Sequence, residues 1–226
     1  MRLPFGFLAA ILILSGYGTL WAQAAKALDG IGPQAVFKPP SREAEIGVFQ
    51  KIQACGAARA GATDSKFVAC VVAVLEQAGA SPEATAVAAL LEGEGYLDSF
   101  RKMGKVDLAS AAYPIRANDN GEYLLVNGTP RVVRVGDPDN WKRIDIRKDP
   151  LYPALVRKYP RLELWGAADF KAMQRLAGGG QRFVFSYVLL NGCHACEVGG
   201  YARVAFDFSS AGVFSGTKLL RLSKTR

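Results

Sequence analysis

Histidine is almost absent from this 226-residue chain: His194 stands alone. That count excludes a three-His zinc site, a paired-His metal site and any mechanism that needs two imidazoles. No glycine-rich phosphate loop, nucleophile elbow or internal repeat occurs. Proline is missing after Pro160, and acidic residues are the minority. There are 20 Asp and Glu against 28 Lys and Arg, a formal charge of +8. Beyond the first 25 residues no apolar run approaches the roughly 20 residues that a membrane helix needs. What is present is the composition of a folded globular protein, 50% apolar and 21% charged. It suffices for one ample core or at most two small domains.

The first 25 residues read as a secretory leader. Arg2 supplies the positive n-region, residues 3–14 form an apolar run, and Ala22-Gln23-Ala24 is a small-x-small cleavage pattern. A twin-Arg signal is absent, and no Cys lies near the cleavage site, which excludes a lipid anchor there. Cleavage near Ala24 or Ala25 leaves 27 basic against 20 acidic residues, because Arg2 is the only charge removed. The expected location is periplasmic or secreted. The expected partner is an anionic envelope component (lipid headgroup, cell-wall polymer or acidic protein) rather than nucleic acid.

Four cysteines in an exported chain point to two disulfides. Phe49, Ile52 and Cys55 recur at spacing three on one candidate helix, and Phe67, Cys70 and Val74 at three and four on the next. Two antiparallel helices would turn these faces together across Gly61-Ala62-Thr63-Asp64, with a cap at Thr63 or Asp64. A Cys55–Cys70 bridge then staples a helical hairpin, and Cys193 pairs with Cys196. The Cys193-His194-Ala195-Cys196 ring is the only reactive-looking constellation, since His194 could stabilise a thiolate. Its surroundings point instead to structure. Residues 182–190 before it and 201–208 after it both read as strands, whereas a thioredoxin-type dithiol opens a helix. A later cis-proline loop of the thioredoxin kind cannot exist without a later proline. Covalent haem needs His directly after the second Cys, where Glu197 stands. Zinc on Cys193, His194 and Cys196 would need a distant fourth ligand. No metal or cofactor is expected.

Residues 26–42 read as an extended arm broken by Gly30, Gly32, Pro33, Pro39 and Pro40. Residues 43–93 read as a three-helix unit. Its helices span 43–60 and 65–77, and the third opens at Ser81-Pro82-Glu83 and ends at Gly93 and Gly95. Residues 96–226 read as mainly β. Strands are expected over 96–103, 106–115, 123–126, 131–135 and 162–165, and a meander over 181–190, 201–208 and 213–222. A short helix follows Asp149-Pro150, and a helical turn is expected over 170–176. Asn127-Gly128 supplies the positive φ of a hairpin. Phe183, Phe185 and Tyr187 share one face, as do Val204, Phe206 and Phe208, and such ladders belong to a core. The expected fold is α+β, a three-helix unit packed on a mainly antiparallel sheet in a single domain over 43–226.

Other constellations carry less. The segments 118–122 and 137–140 are oxygen-rich but lack calcium-loop spacing and read as turns. Two of Glu92, Glu94 and Asp98 could serve as a glycosidase carboxylate pair, though at a helix end they read as surface. Basic residues cluster at 101–105, 141–143, 157–161 and 218–226, where Trp141 and Tyr159 beside cations could touch sugars or nucleic acid bases, the latter set aside by the reading of export. The expected protein is therefore a non-enzymatic, disulfide-held binding protein of the bacterial envelope. The rivals are a thiol-disulfide oxidoreductase using Cys193 and Cys196, and a cell-wall-active hydrolase.

Overall fold

A computed structural model describes residues 30–57, 64–117 and 120–225. The expected leader, residues 26–29 of the arm, Gly61, Ala62 and Thr63 of the interhelical turn, and Asn118 with Asp119 lie outside the described residues. The architecture is α+β, with helices α1 (Arg42–Ala57), α2 (Asp64–Gln77) and α3 (Pro82–Leu90) ahead of two antiparallel sheets.

Local chemistry sets the helix ends. Ser41 Oγ accepts from Ala44 N at 3.2 Å, and Glu43 and Glu45 in the first turn of α1 complement its dipole. Ser81 Oγ accepts from Ala84 N at 3.0 Å, and Pro82 occupies the first helical position of α3. Glu92 and Gly93 then leave the helix with φ of 58° and 72°. A Cβ at Gly93 would lie 3.1 Å from Phe67 and Val68, so glycine allows the end of α3 to close on α2. In α1 the buried stripe is Val48, Ile52 and Cys55. In α2 it is Phe67, Val71 and Leu75, not the expected Phe67, Cys70 and Val74. Cys70 is exposed at the margin of the helix interface. The i, i+4 stripe places the larger side chains inside and leaves the bridge at the edge.

The first sheet has the order β1 (Tyr96–Arg101), β2 (Asp107–Ala112), β3 (Gly121–Val126) and β4 (Val132–Arg134). The second sheet, β5 (Leu162–Arg175), β6 (Gln181–Asn191), β7 (Val198–Phe208) and β8 (Phe214–Ser223), pairs in chain order. The single expected sheet is thus two. The first is covered on both faces. Val87 and Leu91 pack on Leu97, Ala109, Ala111, Leu124 and Val126 from the helical side. Leu108, Leu125 and Val133 pack from the other side against Phe183, Phe185, Val204 and Phe206 of the second sheet. Leu124, Leu125 and Val126 are all fully buried, as an unbroken apolar run requires when both strand faces are covered.

Two further expectations change. Residues 170–176 form no helical turn; through Arg175 they belong to β5. Register shifts between Leu164 and Ala168, and between Phe170 and Ala172, add residues to β5. Phe170 and Met173 therefore both reach the core although three apart, a spacing that imitates a helix. The arm is more than an extended tail. Val36 bridges Leu97 in parallel, and Ile31, Ala35 and Phe37 are buried. Between the sheets run α4 (Pro138–Trp141) and α5 (Tyr152–Lys158).

Candidate functional site

The Cys193–Cys196 bridge closes the turn that joins β6 to β7. Cys196 N donates to Cys193 O at 3.0 Å and Asn191 N to Glu197 O at 3.0 Å, so the ring continues the strand ladder. Asn191 Oδ1 accepts from Arg161 N at 3.0 Å, tying the turn to the start of β5. Gly192 has φ 87° and lies against Arg161, where a Cβ would come within 3.0 Å. Cys193 is exposed and Cys196 half-buried, and neither stands at a helix N-terminus. The helix field that lowers thiol pKa in dithiol enzymes is therefore missing from this turn. The His194 ring meets the Trp165 ring edge-on, with centroids 5.6 Å apart.

Trp165 leads into an aromatic cleft, a hollow of about 750 Å³ between α4, the segment 142–147 and the start of β5. Trp141, Tyr152 and Trp165 line it together with Lys142, Arg143 and Arg147. Several bonds hold its α4 wall. Asp137 caps α4 by accepting from Asp139 N at 2.9 Å, and Asn140 Nδ2 donates to Arg134 O at 2.8 Å. Asn140 O accepts from Thr217 Oγ1 of β8 at 2.6 Å. Trp141 Nε1 donates to Gly136 O at 2.9 Å. A Cβ at Gly166 would lie 3.2 Å from that indole nitrogen, so glycine lets the β5 bulge run beside the ring. Trp165 Nε1, by contrast, is buried with no hydrogen-bond partner. At the rim Arg147 Nε donates to Asp145 Oδ1 at 2.7 Å, which draws the Asp145 carboxyl below its ordinary range. Lys142 and Arg143 are exposed, with the Lys142 ammonium 5.8 Å from the Trp141 ring.

The structure thus brings two sequence features together, the Trp141-Lys142-Arg143 cluster and the disulfide turn, through Trp165. Tyr159 does not join them as a stacking surface, because it is 8% exposed and packed in the core. Trp165 and Tyr152 escaped sequence reasoning as site residues. The available signal was Trp165-Gly166, which breaks strand alternation where the bulge falls.

The carboxylates have structural work. Glu94 binds Arg134 at 2.7 Å and Arg116 at 3.7 Å, and Glu122 binds Arg116 at 3.1 Å. Asp98 accepts from Ser110 Oγ. Glu94 and Asp98 are therefore engaged in separate contacts. Arg116 lies 3.5 Å from the centroid of the Tyr113 ring, whose phenol is pushed up to about 12 by burial and by Glu122. Asp107, buried at 0% side-chain exposure, accepts from Lys102 Nζ, Met103 N, Gly104 N and Asn127 Nδ2. Asn127 also bonds both Ile31 N (2.7 Å) and Ile31 O (2.8 Å), pairing with the arm as a strand backbone would. Among the described residues no three His, Cys, Asp or Glu side chains are grouped to hold a metal ion. Among them, too, no helix is long and apolar enough to cross a membrane.

Burial opposes ionisation of Asp107, but Lys102, the Met103 amide, Asn127 and the Gly104 amide together hold its carboxyl below the usual range. Asp207 is likewise lowered against its burial, by Arg182 and Lys218. A carboxyl depressed in the folded state contributes stability above its unfolded pKa of about 3.9, and loses it as pH falls through the folded value. The urea midpoint should therefore hold between about pH 7 and 5 and fall below about pH 4. Asp107→Asn should begin lower at pH 7 and show a shallower fall. A variant that follows the wild-type acid limb would remove Asp107 as a contributor.

Searches against protein-family models, curated proteins and solved structures find no match to this chain.

Proposed function

We propose that this is an exported, disulfide-held binding protein of the bacterial envelope, without catalytic activity, and that its partner is anionic. The observation that carries the reading is the cleft. Three aromatic rings and a rim of basic side chains converge on one hollow of ligand size. The sequence leader and the two disulfides support an oxidising compartment. The occupation of Glu94, Glu122 and Asp107 by structural partners speaks against a hydrolase built on them. One observation favours a second reading, thiol-disulfide exchange: the exposure of Cys193.

Cell fractionation and co-sedimentation test the proposal. The protein should be recovered from the periplasm or medium with both bridges formed. It should pellet with purified cell-wall sacculi or with phosphatidylglycerol vesicles near 0.15 M salt. Lys142→Glu with Arg143→Glu should reduce the bound fraction at least fivefold. Absence of pelleting with either material would overturn envelope binding. Equal pelleting of the charge-reversed variant would move the contact away from the cleft. Insulin reduction that is abolished by Cys193→Ser would promote the exchange reading.

A further inference from the structure

We infer that the Trp141–Trp165 cleft is a saccharide site, and that the sugar it takes carries carboxylates. The inference rests on the binding-protein reading above and names its ligand class. A pyranose ring has an apolar C–H face bordered by hydroxyls. Its site must offer flat aromatic surface and hydrogen-bonding side chains in one hollow. Trp141, Tyr152 and Trp165 supply the surface, and Arg143, Lys142 and Glu163 supply polar groups along the rim.

The rings are held before any ligand arrives, which limits the ordering entropy lost on binding. Trp141 is tethered by its own N–H to Gly136 O at 2.9 Å. Trp165 is braced by His194, and His194 sits inside the four-residue Cys193–Cys196 ring. In this reading the second disulfide is a brace for an aromatic platform, which gives the CxxC a task without redox turnover. The Trp165 Nε1–H is buried and unpartnered, a donor whose desolvation is uncompensated until an acceptor meets it. Sugar hydroxyl and ring oxygens are acceptors of the kind that donor lacks.

Charge selects among sugars. Asp145 engages Arg147, while Lys142 and Arg143 stand exposed. Arg143 also borders a neighbouring hollow of about 390 Å³ whose lining includes Lys148 and Lys218 beside Asp145 and Asp149, with Lys218 bound to Asp207 at 2.9 Å. A chain leaving the aromatic cleft past Arg143 would thus meet Lys148 as a further cation. Carboxylates spaced along that chain would find partners that neutral sugars would not.

The chain's three tryptophans make the test direct. Trp21 belongs to the expected leader, so the exported protein reports only on Trp141 and Trp165. Where the leader is retained, Trp21→Phe removes its signal. The exported protein is titrated with oligogalacturonate, alginate and hyaluronan oligomers, with cello-oligosaccharides of equal length, and with polyglutamate of equal charge. At least one acidic oligosaccharide should change the emission saturably. Trp165→Phe should remove part of that change, and Arg143→Ala should weaken binding at least tenfold. Lys171→Ala, on an exposed part of β5 away from the cleft, should bind as the wild type does. Affinity should fall with salt without vanishing, because stacking persists when charges are screened.

No response to any of the three acidic oligomers would overturn the site. Equal binding of cello-oligosaccharides would overturn the acidic class, and equal binding of polyglutamate would show an acidic-chain site rather than a sugar site. If Trp165→Phe unfolds the protein, Arg143→Ala still decides. Pelleting with envelope material that survives while every oligosaccharide fails would sink this inference and leave the binding-protein reading standing.

Discussion

Phe206→Ala should cost about 3–5 kcal/mol of folding stability, the usual range for a fully buried aromatic ring. Phe206 is fully buried between the two sheets. Its ring meets Phe185 edge-on at 5.4 Å and stacks near Phe214 at 6.0 Å. Removing it loses the transfer free energy of the ring and leaves a hole. β7 cannot move inward to fill that hole, because it is paired along its length with β6 and β8. Against a total stability of about 5–15 kcal/mol, the loss takes a large share. Urea unfolding should show a lower midpoint with an unchanged slope, since the surface exposed on unfolding is nearly the same. Leu220→Ala supplies the contrast on neighbouring β8. Leu220 is 40% exposed, and its truncation should stay within about 0.5 kcal/mol. A Phe206→Ala cost below about 1 kcal/mol would contradict the packing of the second sheet against the first.

Loss of the Cys55–Cys70 bridge should cost about 2–5 kcal/mol, the largest effect expected in the helical layer. The two residues are 15 apart in sequence. On the chain-entropy account a loop of that size contributes roughly 3 kcal/mol by restricting the unfolded chain. Cys55 is 5% exposed and Cys70 is exposed, so the two single variants should differ. Cys55→Ser also buries a hydroxyl and should be the worse. Cys55→Ser with Cys70→Ser should be no less stable than the worse single, because one bridge is lost in every case. Additive losses in that cycle would mean that the two residues do not act as a pair. The four-residue Cys193–Cys196 ring should contribute less, roughly 2 kcal/mol on the same account. Thermal unfolding of the two serine pairs side by side would rank them.

Much of the fold was legible because its determinants are local. Ser81-Pro82 starts a helix wherever it leads, since the cap is satisfied within three residues. The three-residue and four-residue apolar spacings marked α1 and α2. The aromatic alternation of β6 and β7 marked a core face, and both elements formed near the expected bounds. Two cysteine pairs close in sequence left little room for another connectivity. What the amino-acid order by itself determined was therefore α+β class, helix ends, strand faces and the pairing of its four cysteines.

The remainder depended on pairing across long separations. Whether β4 continues into β5 or begins a second sheet turns on which edges meet, and no local signal carries that information. The three added residues of β5, two between Leu164 and Ala168 and one between Phe170 and Ala172, could be recognised only against its partner β6, because a bulge is defined by register. Asp107 reads as an ordinary polar residue and Asn127 only as a hairpin-turn residue until the arm, 96 residues from Asn127 at Ile31, is laid against them. The cleft is the same kind of object. Trp141 and Trp165 belong to different elements, and His194 reaches Trp165 only because β6 returns antiparallel beside β5. Local steric and capping energies are spent within a turn or two of chain. The site exists only where tertiary packing brings distant residues within a few ångströms of one another.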